Sequence, residues 1–498
     1  MARRGPAARP ARGVPRHRPD RRDLPAGHHR AGRAGHRRTP RPADRRHDGL
    51  AGRGGDPVQR AGGAGRCGRA GRRRHGLLPA DRSPVRSREP RRPGHGLSAP
   101  TTAVRSRPRG PGAHAAPVGA REAARWLAAR EPRRIAFVVD AGLRDAPGIA
   151  GVREWCEVAD DVVELAVSGL GSVDDAQHLA ARLDASDVVV ACGGGSVLDR
   201  TKLARAVGAG VDVRAIRHAT AGHVRLTLPQ GGPPLLAAPT TIGTGSERNG
   251  NAVTAVGDRR VLVSGPALVP DLAVIDGRLT ASLDRTAWLA GLYEALARTI
   301  EPFAGGRAGS AADQLALASV VRLAQFGERL LAGETLDAAS REEAARLTGL
   351  SHTPAMQQGR DPFSFRSWYL AHELATATGL GKVACLAAVL PAVADRSRSG
   401  QAIWGSHARR QAIVERIGAV AGGTGDDAEP VMGALARRWG VAATTPMRFD
   451  RDAVTDRVLS AWGTPHLEGV SHDEVDRVLA AAQAALAGGT GRAPHDDC

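Results

Sequence analysis

From about residue 118 onward, apolar and polar positions form blocks typical of helices and strands that follow one another. A short amphipathic helix is predicted over Arg121–Ala129, and the apolar run Ile135–Val139 predicts a strand that ends at Asp140. Two further buried strands are predicted at Asp187–Ala191 and Leu235–Ala238. Strands that alternate with helices indicate an α/β fold, whose parallel sheet is buried on both faces.

A different pattern begins after the predicted strand Leu272–Ile275, where apolar residues recur at helical spacing. Helices are predicted over residues 286–301, 310–332, 337–348, 366–379, 383–394, 408–421, 428–438 and 473–487. The sequence therefore predicts an N-terminal α/β domain with a parallel sheet at residues 101–278, followed by an all-helical C-terminal domain at 279–487 and a tail at 488–498. We expect the ligand cleft to lie between the two domains.

The first 100 residues differ in composition from the rest of the chain. They hold 27 Arg, no Lys and seven acidic residues, and they lack Phe, Tyr, Trp and Ile. Their net charge is +20, whereas that of residues 101–498 is −1. Because so few apolar side chains cannot offset the entropy of ordering, residues 1–100 are predicted to be disordered.

Two origins are open for this Arg-rich segment. The chain has only two lysines, Lys202 and Lys382, as a GC-rich coding sequence would give. The segment can therefore be spurious translation, from a start codon placed too early or from a wrong frame. The alternative is a tail that binds phosphate backbones without sequence specificity. We expect no specific nucleic-acid recognition, because the rest of the chain is nearly neutral.

Cysteine usage and hydropathy favour a cytoplasmic protein that does not bind membranes. The five cysteines lack CxxC spacing, which fits neither a disulfide framework nor a thiolate zinc site. No apolar h-region follows the Arg-rich start. The longest apolar stretch, Val383–Ala394, is interrupted by Pro391 and is too short to span a bilayer.

A glycine-rich turn directly follows the predicted strand Asp187–Ala191. It reads CGGGSVLDRTK over residues 192–202. Three glycines let the backbone turn sharply and approach a ligand, and the helix that follows directs free N–H groups at an anion. The turn is a candidate cradle for a diphosphate, although an ordinary strand-to-helix turn can have a similar sequence.

A second polar loop, PTTIGTGSE at residues 239–247, follows the predicted strand Leu235–Ala238. Its hydroxyls and glycines can surround a phosphate or a carboxamide with uncharged donors and acceptors. Two such loops after neighbouring strands are difficult to explain as ordinary turns. Together they predict a ligand site at the carboxyl ends of the strands.

These motifs resemble the iron-containing alcohol dehydrogenase family, part of the superfamily that includes dehydroquinate synthase. The resemblance covers about residues 101–485 and rests on GGGSVLD at 193–199, PTTIGTGSE at 239–247 and VPDLAVIDGRLTASL at 269–283. It implies that the α/β domain binds a dinucleotide. It also implies hydride transfer between a nicotinamide cofactor and an alcohol or carbonyl substrate.

The resemblance also implies which residues bind the cofactor. The diphosphate is expected on Gly194, Gly195 and Ser196, and the nicotinamide end near Thr240, Thr241 and Thr244. Gly193 and Asp199 are further candidates for cofactor binding. Asp140 is placed to bind the adenosine ribose and to repel a 2′-phosphate, which favours NAD over NADP. Arg260 keeps a cation near the cofactor. Two alternatives stay open, a helix cap for Asp140 and a surface ion pair between Asp199 and Lys202.

The sequence departs from the family at the metal site. The resemblance implies a divalent metal that is held by one Asp and three His and polarises the substrate oxygen. The corresponding positions hold Tyr293, Ala297, Trp368 and Lys382. None of these binds iron or zinc in the expected way, so we expect the metal to be absent. Glu294 is the only weak candidate ligand, and a surface pair with Arg298 is its alternative.

Two residues near these positions are candidates for catalysis. His372 corresponds to a family His that lies beside the substrate, so it is a candidate general acid or base, unless it is a structural histidine. Lys382 places a cation where the last metal His would lie, and it would stabilise an alkoxide or carboxylate. The alternative for Lys382 is a solvated loop lysine.

Three functions follow from these features. The first is an NAD-dependent oxidoreductase without the family's metal, acting on a small-molecule or peptide substrate. The second is a catalytically weak dinucleotide-binding accessory protein, since ligand-poor members also resemble dehydrogenase-like proteins of daptide-type peptide biosynthesis. The third, a sugar-phosphate cyclase, is disfavoured by the scarcity of lysines. The helix Ser310–Leu331 suggests a homodimer contact, which core packing explains equally well.

Overall fold

The structure is a computed structural model, and it describes residues 114–487 apart from 229, 308, 310 and 423–427. The Arg-rich segment 1–100 and the tail 488–498, both singled out from the sequence, lie outside the described residues.

The first half of the described chain contains two sheets. The strands are β1 (Ala116–Val118), β2 (Arg134–Asp140), β3 (Asp161–Val167), β4 (Val188–Gly193), β5 (His223–Arg225), β6 (Leu235–Pro239), β7 (Asn251–Val256), β8 (Arg259–Ser264) and β9 (Leu272–Val274). Six of them form one sheet in the order β1-β9-β6-β4-β2-β3, in which every neighbouring pair is parallel. The predicted α/β fold with a parallel sheet is confirmed.

The smaller sheet, in the order β5-β8-β7, was not predicted from the sequence. β7 pairs with β8 in antiparallel orientation, and β5 pairs with β8 in parallel orientation. The turn between β7 and β8 contains Gly257 at φ +60°, a conformation that favours glycine. This hairpin supplies one wall of the cleft described below.

Helices cover the large sheet and connect its strands. They are α1 (Ala120–Ala128), α2 (Pro147–Cys156), α3 (Val173–Leu183), α4 (Gly195–Gly208) and α5 (Val213–Arg217). α3 begins with a capping box, in which Ser172 Oγ accepts from the Asp175 amide at 3.1 Å and the Asp175 carboxylate accepts from the Ser172 amide at 2.7 Å. β4 is buried along its whole length, because helices pack on both faces of the sheet.

The second half of the described chain is helical, as predicted. Its helices are α6 (Arg285–Gly305), α7 (Ala311–Leu331), α8 (Ala338–Leu350), α9 (Pro354–Gln357), α10 (Arg366–Thr378), α11 (Lys382–Arg398), α12 (His407–Ala421), α13 (Ala428–Arg438), α14 (Arg451–Trp462) and α15 (His472–Ala487). α11 continues through Pro391, and α14 was missed in the sequence because its apolar residues are few. Within the described ranges, no helix has the length and apolar character needed to cross a membrane.

Candidate active site

A cleft of about 1240 Å³ lies at the carboxyl ends of β4 and β6 and extends to residues of the helical half. It collects most of the candidate residues from the sequence, namely Asp140, Gly194, Gly195, Ser196, Asp199, Thr241, Thr244, Arg260, Glu294, His372 and Lys382. The carboxyl edge of a parallel sheet is where ligands of such folds bind.

The glycine-rich turn forms one end of this cleft. Gly194 is the N-cap of α4, and the first residues of the helix, Gly195 and Ser196, line the cleft with their unpaired N–H groups at the helix start. A Cβ on Gly195 would lie 3.0 Å from Thr244 Cγ2, and a Cβ on Gly194 would lie 3.3 Å from Thr241 Cγ2. The glycines therefore keep open a cradle that fits a diphosphate.

The threonine-rich loop lies directly beside this turn. Its Gly243 and Gly245 adopt φ of +92° and +62°, which allows the loop to fold back against α6 and His352. Thr241 and Thr244 face the cleft from this loop. The two polar loops that were recognised separately in the sequence thus meet at one end of a single cleft.

Two of the predicted cofactor residues, Gly193 and Thr240, do not line the cleft. A Cβ on Gly193 would lie 2.7 Å from the Val197 Cβ, so this glycine serves the packing of α4 against β4. Thr240 is buried, and its amide donates to the Gly193 carbonyl at 3.0 Å. Both residues pack beneath the two loops and do not face the cleft.

For Asp140 the structure shows the helix cap, one of the two alternatives that the sequence left open. Its carboxylate caps the short helical turn Ala141–Leu143 by accepting from the Gly142 amide at 3.0 Å. The residue also lines the cleft.

Asp199 and Lys202 form an ion pair of 3.1 Å, but the pair is not on the surface as one alternative had it. The Lys202 side chain is fully buried, and its ammonium also donates to the Ser246 carbonyl at 2.9 Å and to the Asn251 carbonyl. Asp199 accepts from Ser246 Oγ at 2.5 Å. Because both residues of the pair bond to Ser246, the pair fastens the threonine-rich loop to α4. The hairpin β7–β8 covers the pair and buries it.

On the helical side of the cleft, three charged side chains form a group that we call the cleft cluster, Glu294, Arg298 and Lys382. Glu294 Oε1 accepts from Arg298 at 2.6 Å and from Lys382 Nζ at 2.7 Å. Burial would raise the pKa of Glu294, but Lys382 and Arg298 outweigh it and lower the pKa, so the carboxylate is ionised. The cluster carries one net positive charge.

The geometry of the cleft cluster excludes two of the alternatives that the sequence left open. Glu294 and Arg298 are not a surface pair, since the Glu294 side chain is only 5% exposed and also holds Lys382. Lys382 is not a solvated loop lysine, because it begins α11 and its side chain is 27% exposed toward the cleft. The contact joins α6 to α11 across the helical half.

His372 lies on α10 between Arg260 and the aromatic ring of Trp368. Its ring stacks on Trp368 with centroids 4.6 Å apart. Burial, followed by the charges of Lys382 and Arg260, lowers the pKa of His372 to about 3, although the Arg260 carbonyl opposes the shift. The imidazole is therefore neutral near pH 7.

The residues at the expected metal positions do not fit a divalent metal. Tyr293 is buried with its hydroxyl 3.5 Å from the Met432 carbonyl, and Trp368 presents a ring to the cleft. Glu294 already shares its carboxylate with two cations. Across the part of the chain that the structure describes, His, Cys, Asp and Glu form no group of three or more that could hold a metal ion.

Sequence reasoning missed several residues that line the cleft, among them His352, Ser264 and the aromatic residues Phe363, Phe365 and Tyr369. His352 packs on Gly245 and accepts from the Asn249 amide at 3.2 Å. None of these residues lies in a motif with a recognisable spacing. Their approach to the cleft depends on how the helical half packs against the hairpin.

The parallel sheet, the glycine-rich start of α4 and the adjoining threonine-rich loop define a nucleotide-binding type of α/β protein with a helical C-terminal part. More narrowly, residues 117–277 match the family model "Iron-containing alcohol dehydrogenase". The resemblance recognised in the motifs is thus confirmed for this part of the chain.

Named relatives agree with this assignment. The probable alcohol dehydrogenase EutG of Salmonella typhimurium is 29% identical over 214 residues, which are 40% of this chain and 53% of that protein. The phosphonoacetaldehyde reductase of Streptomyces viridochromogenes is 29% identical over 59% of this chain and 76% of its own length. The chain thus spans about half of the length of EutG, one of the curated relatives it matches.

A solved structure extends the likeness of the fold to the helical half. The sulfoacetaldehyde reductase of Bifidobacterium kashiwanohense, crystallised in complex with NAD⁺, superimposes with a TM-score of 0.59 at 19% identity. The superposition covers 75% of this chain and 97% of that protein. At this identity the likeness concerns the fold.

Proposed function

We propose that this protein is an NAD-dependent oxidoreductase that transfers hydride between nicotinamide and an alcohol or carbonyl substrate, without a divalent metal. One observation carries the proposal. A glycine-rich helix start and a threonine-rich loop meet at one end of a cleft, and an ammonium group held by a buried carboxylate lines the same cleft from the helical half.

The α/β side of the cleft supports the choice of cofactor. Gly194, Gly195 and Ser196 offer backbone N–H groups to a diphosphate, and Asp140 offers a carboxylate to a ribose hydroxyl. A 2′-phosphate would be repelled by Asp140, so we favour NAD over NADP. NAD supplies or accepts the hydride when it is bound. The NAD⁺ complex of the sulfoacetaldehyde reductase supports this choice for a protein of the same fold.

Lys382 is the residue that we propose to stabilise negative charge on the substrate oxygen. Its ammonium donates one hydrogen bond to Glu294, which leaves two N–H donors for other groups. The ionised Glu294 pairs with Lys382 and fixes its direction, and Arg298 supplies a second positive charge to the cluster. A fixed cation at the place where charge develops lowers the barrier of such a reaction.

For His372 the structure favours a narrower role than the general acid or base that the sequence suggested. Because its pKa lies at about 3, an imidazolium is not available near pH 7. We propose that neutral His372, held by the stacked Trp368, contributes to the wall beside Lys382.

The substrate that we propose is a small alcohol or aldehyde. The relatives named above include reductases of phosphonoacetaldehyde and sulfoacetaldehyde, which makes both aldehydes the natural starting probes. A peptide substrate and a homodimer remain predictions from the sequence. The accessory-protein alternative predicts NAD binding without turnover, so the same assay separates it from an enzyme.

The experiment is an NAD⁺ titration with metal analysis on the full chain, purified without chelators. We expect NAD⁺ binding with no stoichiometric iron or zinc. Gly195→Leu should weaken NAD⁺ binding at least about 100-fold, roughly 2.7 kcal/mol, because the side chain fills the cradle against Thr244. The control Gly208→Leu, at the open end of the same helix, should change binding less than about twofold.

Turnover is then measured with 1-butanol, phosphonoacetaldehyde and sulfoacetaldehyde. NADH formation or consumption with any of them supports an oxidoreductase. Stoichiometric metal would contradict the metal-free mechanism, and tight NAD⁺ binding without turnover on every probe would favour the accessory protein.

A further inference from the structure

Oxidation of an alcohol releases a proton as well as a hydride, and the residue that takes this proton must be able to pass it on toward solvent. Glu294 is shared by two cations, and Lys382 is held as an ammonium. The ring nitrogens of His372 have no side-chain hydrogen-bond partner to which a proton could pass. A proton route must therefore begin at another residue of the cleft, and this inference rests on the proposed function.

Such a route is present beside Ser264, which ends β8 and lines the cleft. Its hydroxyl lies 2.6 Å from His223 Nε2, on β5. His223 Nδ1 lies 2.8 Å from Nε2 of His466, which follows α14. His466 Nδ1 lies 3.3 Å from the hydroxyl of Tyr369, on α10. Four elements that are far apart in the chain thus supply one continuous row of hydrogen bonds.

The bond at the Tyr369 end of the row determines which atom donates and which accepts in every other hydrogen bond. The Tyr369 hydroxyl donates its single proton to the Phe363 carbonyl at 2.7 Å, so it accepts from His466 Nδ1–H. His466 Nε2 is then an acceptor and receives His223 Nδ1–H. Nε2 of His223 is in turn the acceptor for Ser264 Oγ–H. The Ser264 oxygen is left with lone pairs to accept a proton from the cleft.

We propose that Ser264, His223 and His466 form a proton relay between the cleft and solvent. In alcohol oxidation the substrate O–H bond breaks and its proton passes to Ser264 Oγ, while the Ser264 proton moves to His223 Nε2. The Nδ1 proton of His223 moves to His466 Nε2, and the carbon releases its hydride to NAD⁺ as the carbonyl forms. The Nδ1–H of His466, whose 3.3 Å bond to the Tyr369 hydroxyl is the longest in the row, then gives its proton to water, because His466 is only half-buried. Reduction of a carbonyl runs the same steps backward.

Charged groups around the relay set its pH dependence. Burial, then His466 and Arg225, lower the pKa of His223 to about 4. Burial also lowers the pKa of His466, with Asp361 opposing the shift and Arg225 adding to it. Both rings are therefore neutral at pH 7, the state in which an imidazole accepts a proton on one nitrogen and releases one from the other.

The test uses the full chain with whichever of the three probes gives the fastest turnover, 1-butanol being assayed with NAD⁺ and either aldehyde with NADH. Ser264→Ala and His223→Ala should each lower kcat about 100-fold, the usual size of a lost proton-transfer step, with NAD⁺ affinity unchanged. The solvent deuterium isotope effect on kcat should change in both variants. Added imidazole should restore turnover in His223→Ala but not in Ser264→Ala. His218→Ala, an exposed histidine away from the cleft, is the control.

Three outcomes overturn the relay. The first is wild-type kcat in Ser264→Ala and His223→Ala, and the second is a loss in His223→Ala that imidazole does not restore. The third is an unchanged solvent isotope effect in both variants. Each of them leaves NAD⁺ binding and wild-type turnover intact, so failure of the relay is distinct from failure of the proposed oxidoreductase, in which the wild type itself turns over no probe.

Discussion

The helical half contains two ion clusters of matching composition, and their surroundings differ. In one, which we call the Asp313 cluster, Asp313 accepts from Arg360 at 2.6 Å and from Arg409 at 2.8 Å. In the cleft cluster a single carboxylate likewise holds two cations at 2.6 and 2.7 Å. None of the three residues of the Asp313 cluster lines the cleft.

The difference shows that position, not the ion pair itself, decides what such a cluster does. Arg360 is almost fully buried and Arg409 also donates to the Phe303 carbonyl, so the Asp313 cluster fastens α6, α7 and α12 together. The cleft cluster instead leaves an ammonium that is partly exposed in the cleft. We therefore expect substitutions in one cluster to change stability and substitutions in the other to change turnover.

The largest effect is expected from Lys382→Met in the cleft cluster. Turnover should fall about 100- to 1000-fold, because the fixed cation beside the substrate oxygen is lost. NAD⁺ affinity should be unchanged and the midpoint of thermal unfolding nearly so, since Glu294 keeps its bond to Arg298. Steady-state assays and thermal melts measure both.

The matched control is Arg409→Met, which removes one cation from the Asp313 cluster. It should lower the midpoint of thermal unfolding and leave turnover per folded molecule as in the wild type. Equal losses of turnover in both variants would show that the two clusters do not differ in function.

An intermediate effect is expected from Asp313→Asn. The substitution leaves Arg360 and Arg409 without their counter-charge, so the free energy of unfolding should fall by about 2–3 kcal/mol. Urea unfolding at pH 7 measures it. The exposed pair of Asp395 and Arg398 provides the comparison, because Asp395→Asn should change stability by less than about 0.5 kcal/mol. A similar loss of unfolding free energy in both variants would show that the Asp313 cluster stabilises the protein no more than an exposed ion pair.

The smallest effect is a pH dependence of the same cluster. Burial raises the pKa of Asp313, but the hydrogen bonds from Arg409 and Arg360 outweigh burial and lower this pKa to about 2. A lowered pKa in the folded state stabilises the protein above the unfolded value of about 3.9, and this stabilisation is lost as the pH falls through 2. The difference in unfolding free energy between wild type and Asp313→Asn should shrink by about 1 kcal/mol from pH 5 to pH 2. If the difference in unfolding free energy stayed constant from pH 5 to pH 2, the stabilisation would come from hydrogen bonds that do not depend on the charge of Asp313.

The sequence by itself determined the features that depend on neighbours along the chain. Strand and helix periodicity indicated the parallel sheet and the helical half, because the side-chain pattern of each element repeats within a few residues. The two polar loops were recognisable because a sharp turn after a strand needs glycine, and a polar ligand site needs hydroxyl groups close to it in the chain. Gly194 and Thr244 illustrate this, since both face the cleft as their motifs predicted.

Only the tertiary structure decided which distant side chains meet. Lys382 and Glu294 are 88 residues apart, and His223 and His466 are 243 apart, so no local spacing links them. The same holds for Asp199 and Lys202, whose spacing is local but whose burial is imposed by the unpredicted hairpin. Contacts of this kind arise when whole elements pack to bury apolar surface, and that packing reflects the complete chain and not any one segment.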